Sequence, residues 1–253
     1  MVLFIITVIF KLVKFLNKII KFCKLIKNKT SLKGLFHNIA ANIELENLVK
    51  NLDFETVIDI GSNKGQFILL IEKLFNDKVI YSFEPIYEVL EKQKKFFKYK
   101  KNLFFYNIGL GDKKSKRFLN ITNRIDSSSF LKVNQNEYRN HDYIIKEERE
   151  ISVNTLDEVL KNEKIKQPIL IKIDVQGLEL EVLKGSINFL KKTKYIVIEV
   201  SDKEIYQNQS TQMEVNNFLK KNEFEILKEN LPIKIKNIDS YQKDILFINK
   251  LID

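Results

Sequence analysis

A chain of 253 residues with 44% hydrophobic and 30% charged residues has the balance of one sizeable globular α/β domain with a short appendage. One cysteine, Cys23, excludes an intrachain disulfide, a CxxC redox pair and a Cys-rich zinc site, and fits a reducing, cytoplasmic setting. The net charge of +10 would suit a nucleic-acid binder, but residues 1–43 hold eight lysines and no acid, leaving 35 basic against 33 acidic residues in the body. The body is close to neutral, so the nucleic-acid signal is weak.

Residues 2–10 form an apolar run too short to cross a bilayer, and Lys11 interrupts it. A secretory signal would need a positive flank before the run and small residues after it; both are missing. Lys11, Lys14, Lys18 and Lys21 then fall on one helical face, with Leu12, Leu16, Ile19, Cys23 and Ile26 roughly opposite. Residues 1–38 are therefore expected to be a basic amphipathic arm ahead of a domain over 39–253. Two readings of the arm stay open. One is a peripheral helix on an anionic membrane surface, through residues 1–34, at the inner face of the membrane. The other is a helix packed on its own domain or on a second subunit.

Beyond the arm, strands are predicted at 56–60, 79–83, 103–108, 169–174, 195–200 and 245–249. Helices are predicted at 66–75, 87–97, 178–190 and 211–222. The runs 169–173 and 195–200 are largely apolar on both faces, as in strands covered on both sides. This alternation predicts a doubly wound, mostly parallel sheet. Residues 112–152 break the rhythm, with short β-like pieces at 116–121 and 149–153, and read as an insertion over one end of the sheet.

Two stretches carry the chemistry. The first is Val57-Ile58-Asp59-Ile60-Gly61-Ser62-Asn63-Lys64-Gly65-Gln66-Phe67, a strand, a glycine turn and a helix start. Gly61 lets the backbone turn sharply near a ligand, and Gly65 permits close contact at the helix start. The Gly-x-x-x-Gly spacing departs from the dinucleotide fingerprint and disfavours a pyrophosphate. Asp59 would suit a ligand amine. Glu84 and Pro85 end the next strand, where a carboxylate accepts from both hydroxyls of a ribose; capping the following helix is the structural alternative. Asn107 and Gly109 follow the third strand, where an adenine is expected. Together with Ser62 and Asn63 of the glycine turn, these form the expected nucleoside site. The second stretch is Pro168-Ile169-Leu170-Ile171-Lys172-Ile173-Asp174-Val175-Gln176-Gly177-Leu178-Glu179. Lys172 and Asp174 share one face of a buried strand, and Glu199 stands in a similarly apolar run downstream. A substrate-side role and an ion pair that only orders the turn both remain open for Lys172.

The set VIDIGSNKGQF, YSFEP, NIGLGDK, ISVNTLDEVL, ILIKIDVQGLELEVLKG and IVIEVS, over about residues 55–201, resembles the FkbM-type methyltransferases. The resemblance implies a Rossmann-like class I fold with seven strands, the last antiparallel and here near 245–249. It also implies S-adenosylmethionine as methyl donor and O-methylation of sugars or secondary metabolites. The family more often carries an acid where Gln176 stands, which puts any task of that carboxylate in doubt here.

Transfer to a hydroxyl needs a proton acceptor. The candidates are Asp174, whose strand end should face the methyl group, Glu179, and His141 within the insertion. The sequence gives no decisive metal-ligand spacing. Two rival functions stand beside O-methylation of a small molecule or glycan: an RNA methyltransferase, and a membrane-associated scaffold that keeps the fold without catalysis.

Overall fold

The computed structural model describes residues 19–23, 25–75, 77–134, 143–235 and 240–252. In chain order these form α1 (Lys29–Phe36), a 3₁₀ turn (Ile43–Leu45), α2 (Glu46–Val49), β1 (Thr56–Ile60), α3 (Gln66–Leu74), β2 (Val79–Phe83), α4 (Tyr87–Phe96) and β3 (Leu103–Tyr106). There follow β4 (Gly109–Leu110), β5 (Ser115–Thr122), β6 (Ile145–Asn154), α5 (Leu156–Val159), β7 (Ile169–Ile173), α6 (Glu179–Lys184), α7 (Ile187–Leu190) and β8 (Thr193–Ser201). The chain closes with α8 (Gln212–Lys221), β9 (Phe224–Glu229), β10 (Ile233–Lys234) and β11 (Tyr241–Asn249).

The main sheet has the order β3-β2-β1-β7-β8-β11, parallel as far as β8. Strand β11 runs antiparallel to β8, as the final strand was expected to, and its other edge takes β9 and then the two-residue β10. Seven strands thus match the expectation, and β10 is an eighth, short addition. Side chains alternate across the sheet. Val57, Leu170, Val197 and Leu246 enter one apolar layer with Ile68, Leu69 and Phe97. Ile58, Ile171, Ile196 and Ile245 enter the other with Val182, Leu183 and Leu219. Helices therefore cover both faces.

Several boundaries differ from expectation. Strand β3 stops at Tyr106, and the single helix expected over 178–190 is two short ones broken at Gly185. A Cβ on Gly185 would lie 1.9 Å from the carbonyl oxygen of Gly111, so the backbones touch there. The insertion is more regular than its composition implied. β5 and β6 form a long antiparallel hairpin that joins β4 in a second, three-stranded sheet.

The described part of the arm docks on the domain. Leu25 is buried in the first core layer, and Gly34 of α1 packs so closely that a Cβ would strike Leu69. Lys21 pairs with Glu44 at 2.8 Å, and Lys33 lies over the Tyr99 ring at 4.4 Å. Among the described residues no helix is long and apolar enough to cross a membrane.

Candidate active site

A cavity of about 420 Å³ opens at the carboxyl ends of β1, β2, β7 and β8. Such a crevice is where open parallel sheets bind ligands. On one side lies the glycine turn. Gly61 has φ +75°, and a Cβ there would stand 1.9 Å from the carbonyl oxygen of Asp174, so only glycine lets the β1 and β7 ends meet. The backbone N–H groups of Gly61 and Ser62 donate to Phe83 O at 3.1 and 3.0 Å, tying the turn to the end of β2. Ser62, Ser82 and Gln93 form a buried polar triad with separations of 2.8–2.9 Å, and the Gln93 amide also reaches the carbonyl of Asn63. Ser82 and Gln93 drew no notice in the sequence, because a serine in a strand and a glutamine in an amphipathic helix are unremarkable until their side chains meet.

Glu84 lines the cavity. Its Oε2 accepts from the N–H of Asn63 at 2.8 Å and its Oε1 from the N–H of Ile86 at 2.9 Å. Burial pushes its carboxyl up to about 7, against these hydrogen bonds, which favour the charged form. Asn63, at φ 47°, also lines the cavity, and its side-chain Oδ1 is buried without a partner among the described residues. Pro85 and Gly109 line the cavity too, and a Cβ on Gly109 would meet the Phe130 ring at 2.8 Å.

Three residues of the expected nucleoside site stand away from the cavity wall. Gly65, with φ +85°, packs on the Phe97 ring, so its service is to seat α3. Asn107 Nδ2 donates to the carbonyls of Glu84 and Pro85, both at 2.9 Å, and so braces the loop that holds Glu84. Asp59 is fully buried, and its carboxylate has no hydrogen-bond partner among the described residues; Lys172 Nζ lies 3.8 Å away. Burial lifts the Asp59 carboxyl to about 6 despite that ammonium. A direct grip on a ligand amine is not what this geometry offers; Asp59 is the buried counter-charge of Lys172.

Lys172 is the hub of the other side. It stands in register with Asp59 and donates to Asp174 Oδ2 at 3.0 Å. Burial alone would pull its ammonium down, yet Asp174 and Asp59 hold it well above its ordinary value. Gln176, at φ 56°, donates from Nε2 to Asp174 Oδ1 at 2.8 Å and to Glu199 Oε2 at 3.2 Å. Gln176 Oε1 lies 2.9 Å from the Tyr206 hydroxyl, and Gln242 Nε2 also donates to Glu199 Oε2 at 3.2 Å. Burial, with Asp174 and Asp244 nearby, pushes the Glu199 carboxyl well up. Asp174, Gln176, Glu199, Tyr206 and Gln242 all line the cavity. The sequence marks Glu199 only as an acid in an apolar run, and it gives no sign of Tyr206 or Gln242. The signal available for the acids was the polar residue interrupting each apolar strand at the same end of the sheet.

Of the expected proton acceptors, Asp174 stands in the cavity wall. Glu179 does not: it is buried beneath the turn after β7, accepting from the N–H groups of Val175 and Gly177 at 3.1–3.2 Å. Burial raises its carboxyl to about 7. It holds the turn and faces no open space. His141 lies outside the described residues. Among the described residues no group of three or more His, Cys, Asp or Glu side chains is disposed to hold a metal ion.

The residues present fit a sulfonium nucleoside. Gly61 leaves backbone room where a Cβ would intrude, Glu84 presents a carboxylate for ribose hydroxyls, and Asn63 offers an unpaired buried acceptor. The wall carries Glu44, Glu84, Asp126, Asp174 and Glu199 against only Arg124 and Lys172, an excess of acidic over basic side chains that suits a cation.

Strand order, glycine turn and the acid after β2 together define a class I methyltransferase, with S-adenosylmethionine as its cofactor. More narrowly, residues 59–226 match the family model described as the methyltransferase FkbM domain, and the chain belongs to that family. Hexuronic acid methyltransferase AglP of Haloferax volcanii is 39% identical over 44 residues, a match spanning 17% of this chain and 18% of that one. Among solved structures, magnesium protoporphyrin IX methyltransferase of Synechocystis aligns with 9% identity and a TM-score of 0.44, covering 87% of this chain and 79% of that one. Fibrillarin of Aeropyrum pernix aligns with 10% identity and a TM-score of 0.44, covering 77% and 66%.

Proposed function

We propose that this methyltransferase methylates a hydroxyl oxygen, on a sugar of a glycan or a related secondary metabolite. The observation that carries the reading is the composition of the wall beyond Glu84: carboxylates Asp174 and Glu199, joined through the Gln176 amide and flanked by Gln242 and Tyr206. Amides and carboxylates of this kind hydrogen-bond neutral hydroxyls. In the ionised form that accepts a proton, these carboxylates would repel an acceptor that is itself a carboxylate or phosphate.

When bound, S-adenosylmethionine supplies a methyl group on an activated sulfonium. The protein's part is alignment, exclusion of water and removal of a proton. Glu84 and Asn63 hold the nucleoside end. Lys172 and Gln176 each donate to one oxygen of Asp174 and fix its orientation at the end of β7. Glu199 has both neighbouring amides on Oε2, so its Oε1 is left for the acceptor. As the hydroxyl oxygen bonds to the methyl carbon, its proton passes to this carboxylate pair, and Glu199, whose affinity for protons burial has raised, is well suited to keep it.

The test is an Asp174→Asn and a Glu199→Gln variant, assayed with labelled methyl donor and cell glycans. Turnover should fall by about 10²–10⁴-fold in at least one of them. Cofactor affinity, read by calorimetry, should stay within about threefold of the parent, because the hydrogen bonds to the nucleoside end are untouched. Full activity in both variants would remove the pair from the mechanism.

A further inference from the structure

Two distant parts of the chain bring exposed apolar side chains to one edge of the cavity. Glu44, part of the cavity wall, is held by Lys21 of the arm, Nζ to Oε2 at 2.8 Å. Its backbone carbonyl accepts from Asn230 Nδ2 at 3.1 Å. Near Lys21, Ile19, Ile20, Phe22 and Ile26 remain 40–56% exposed; beside Asn230, Leu231 and Ile233 are 87% and 62% exposed. Ile233 pairs across the strands with Gln242, itself in the cavity wall. The apolar patch therefore borders the cavity mouth, and a patch of this kind marks a surface meant to be covered.

Charge selects what covers it. Residues 1–43 carry eight lysines and no acid. A second copy would bring the same lysines to the contact, and like charges oppose that pairing. A neutral apolar partner would leave the lysines unanswered. An anionic lipid surface satisfies both, with apolar side chains entering the interface and lysines meeting the headgroups.

We propose that this rim docks on an anionic bilayer, so that the cavity mouth faces the lipid surface. Resting on the O-methylation reading, the acceptor is then a hydroxyl carried on a membrane-borne amphiphile, such as a lipid-linked glycan.

The chain has no tryptophan, so single-tryptophan variants report where lipid touches. Ile233→Trp probes the rim. Leu251→Trp is the control: it follows β11, whose antiparallel course carries it to the opposite end of the strands from the cavity. Both are mixed with vesicles of phosphatidylcholine alone and with a quarter phosphatidylglycerol. Ile233→Trp emission should shift to the blue only with the anionic vesicles, and Leu251→Trp emission should not move. Lys27→Gln and Lys29→Gln should each lower the partition coefficient about fivefold, one surface charge apiece. No vesicle binding, equal binding to neutral vesicles, or a shift at Leu251→Trp in place of Ile233→Trp would overturn the proposal. So would an arm-dependent dimer that ignores lipid. Calorimetry of S-adenosylmethionine binding without vesicles judges the enzyme reading separately, so the two failures are distinguishable.

Discussion

Replacing Glu84 by Gln should move stability and cofactor affinity in opposite directions. In the absence of ligand, Glu84 is buried and its carboxyl lies near 7 instead of its ordinary 4.5. Above pH 7 the folded chain therefore carries a penalty of roughly 3 kcal/mol for keeping this group ionised. Glutamine removes that penalty. It still offers one oxygen to the N–H groups of Asn63 and Ile86 but loses the second acceptor, a cost of about 1–2 kcal/mol. The net expectation at pH 8 is an unliganded protein as stable as the parent or up to about 2 kcal/mol more so. Cofactor binding loses charged hydrogen bonds to the ribose, about 1.5–3 kcal/mol, so affinity falls about 10- to 150-fold. Thermal unfolding at pH 8 and titration calorimetry read the two quantities on the same sample. Unchanged affinity would falsify the ribose assignment. Lower stability together with lower affinity would mean that the substitution merely damaged the fold.

Two further outcomes follow from the buried charges. Glu84 and Glu179 lie near 7 against an ordinary 4.5, Asp244 near 7 against 3.8, and Asp59 near 6 against 3.8. Each acid is raised on folding, so the folded chain binds more protons, and the stabilisation is present below about pH 4 and lost as pH rises to about 7. The melting temperature without ligand should therefore fall between pH 5 and 7.5, and less steeply with S-adenosylmethionine present; a rise over that range would contradict the burial of these groups. Lys172→Met should cost about 3–5 kcal/mol by stranding Asp59 without a counter-charge, and adding Asp59→Leu should recover most of that. Additive losses in the double variant, measured by urea unfolding, would show that the two do not act as a pair.

Much of the architecture was legible because the physical signals were local. Strands β1 and β2 were delimited to the residue by apolar runs ending at Gly61 and Glu84, and β7 missed by one because Asp174 follows the run directly. Strand β9 left only a faint trace: Phe224, Ile226 and Leu227 are apolar, but Phe224 alone is buried, and the pattern is neither a continuous apolar run nor a sustained alternation. The break at Gly185 was hidden because it arises from close approach to Gly111, far away in the chain. At the site, Glu84 and Asp174 could be found because each ends a strand at the ligand-binding edge. The work of Gln176, Tyr206 and Gln242 could not, since it depends on two loops and strand β11 converging on Glu199. Asp59 was legible as a buried acid, but its pairing with Lys172 was not. Its register with Lys172 on the adjacent strand decides the matter, and strand order is not written in either strand alone.

The measurement that bears most directly on the function is the chemical nature of the methylated product. Purified protein is incubated with labelled methyl donor and a lipid-linked glycan fraction, and the product is treated with mild alkali. Transfer to a hydroxyl yields an ether, and the label should stay bound through the treatment. Label released as methanol would identify a methyl ester, hence a carboxylate acceptor, and would contradict the reading of Asp174 and Glu199 as the groups that receive a hydroxyl proton.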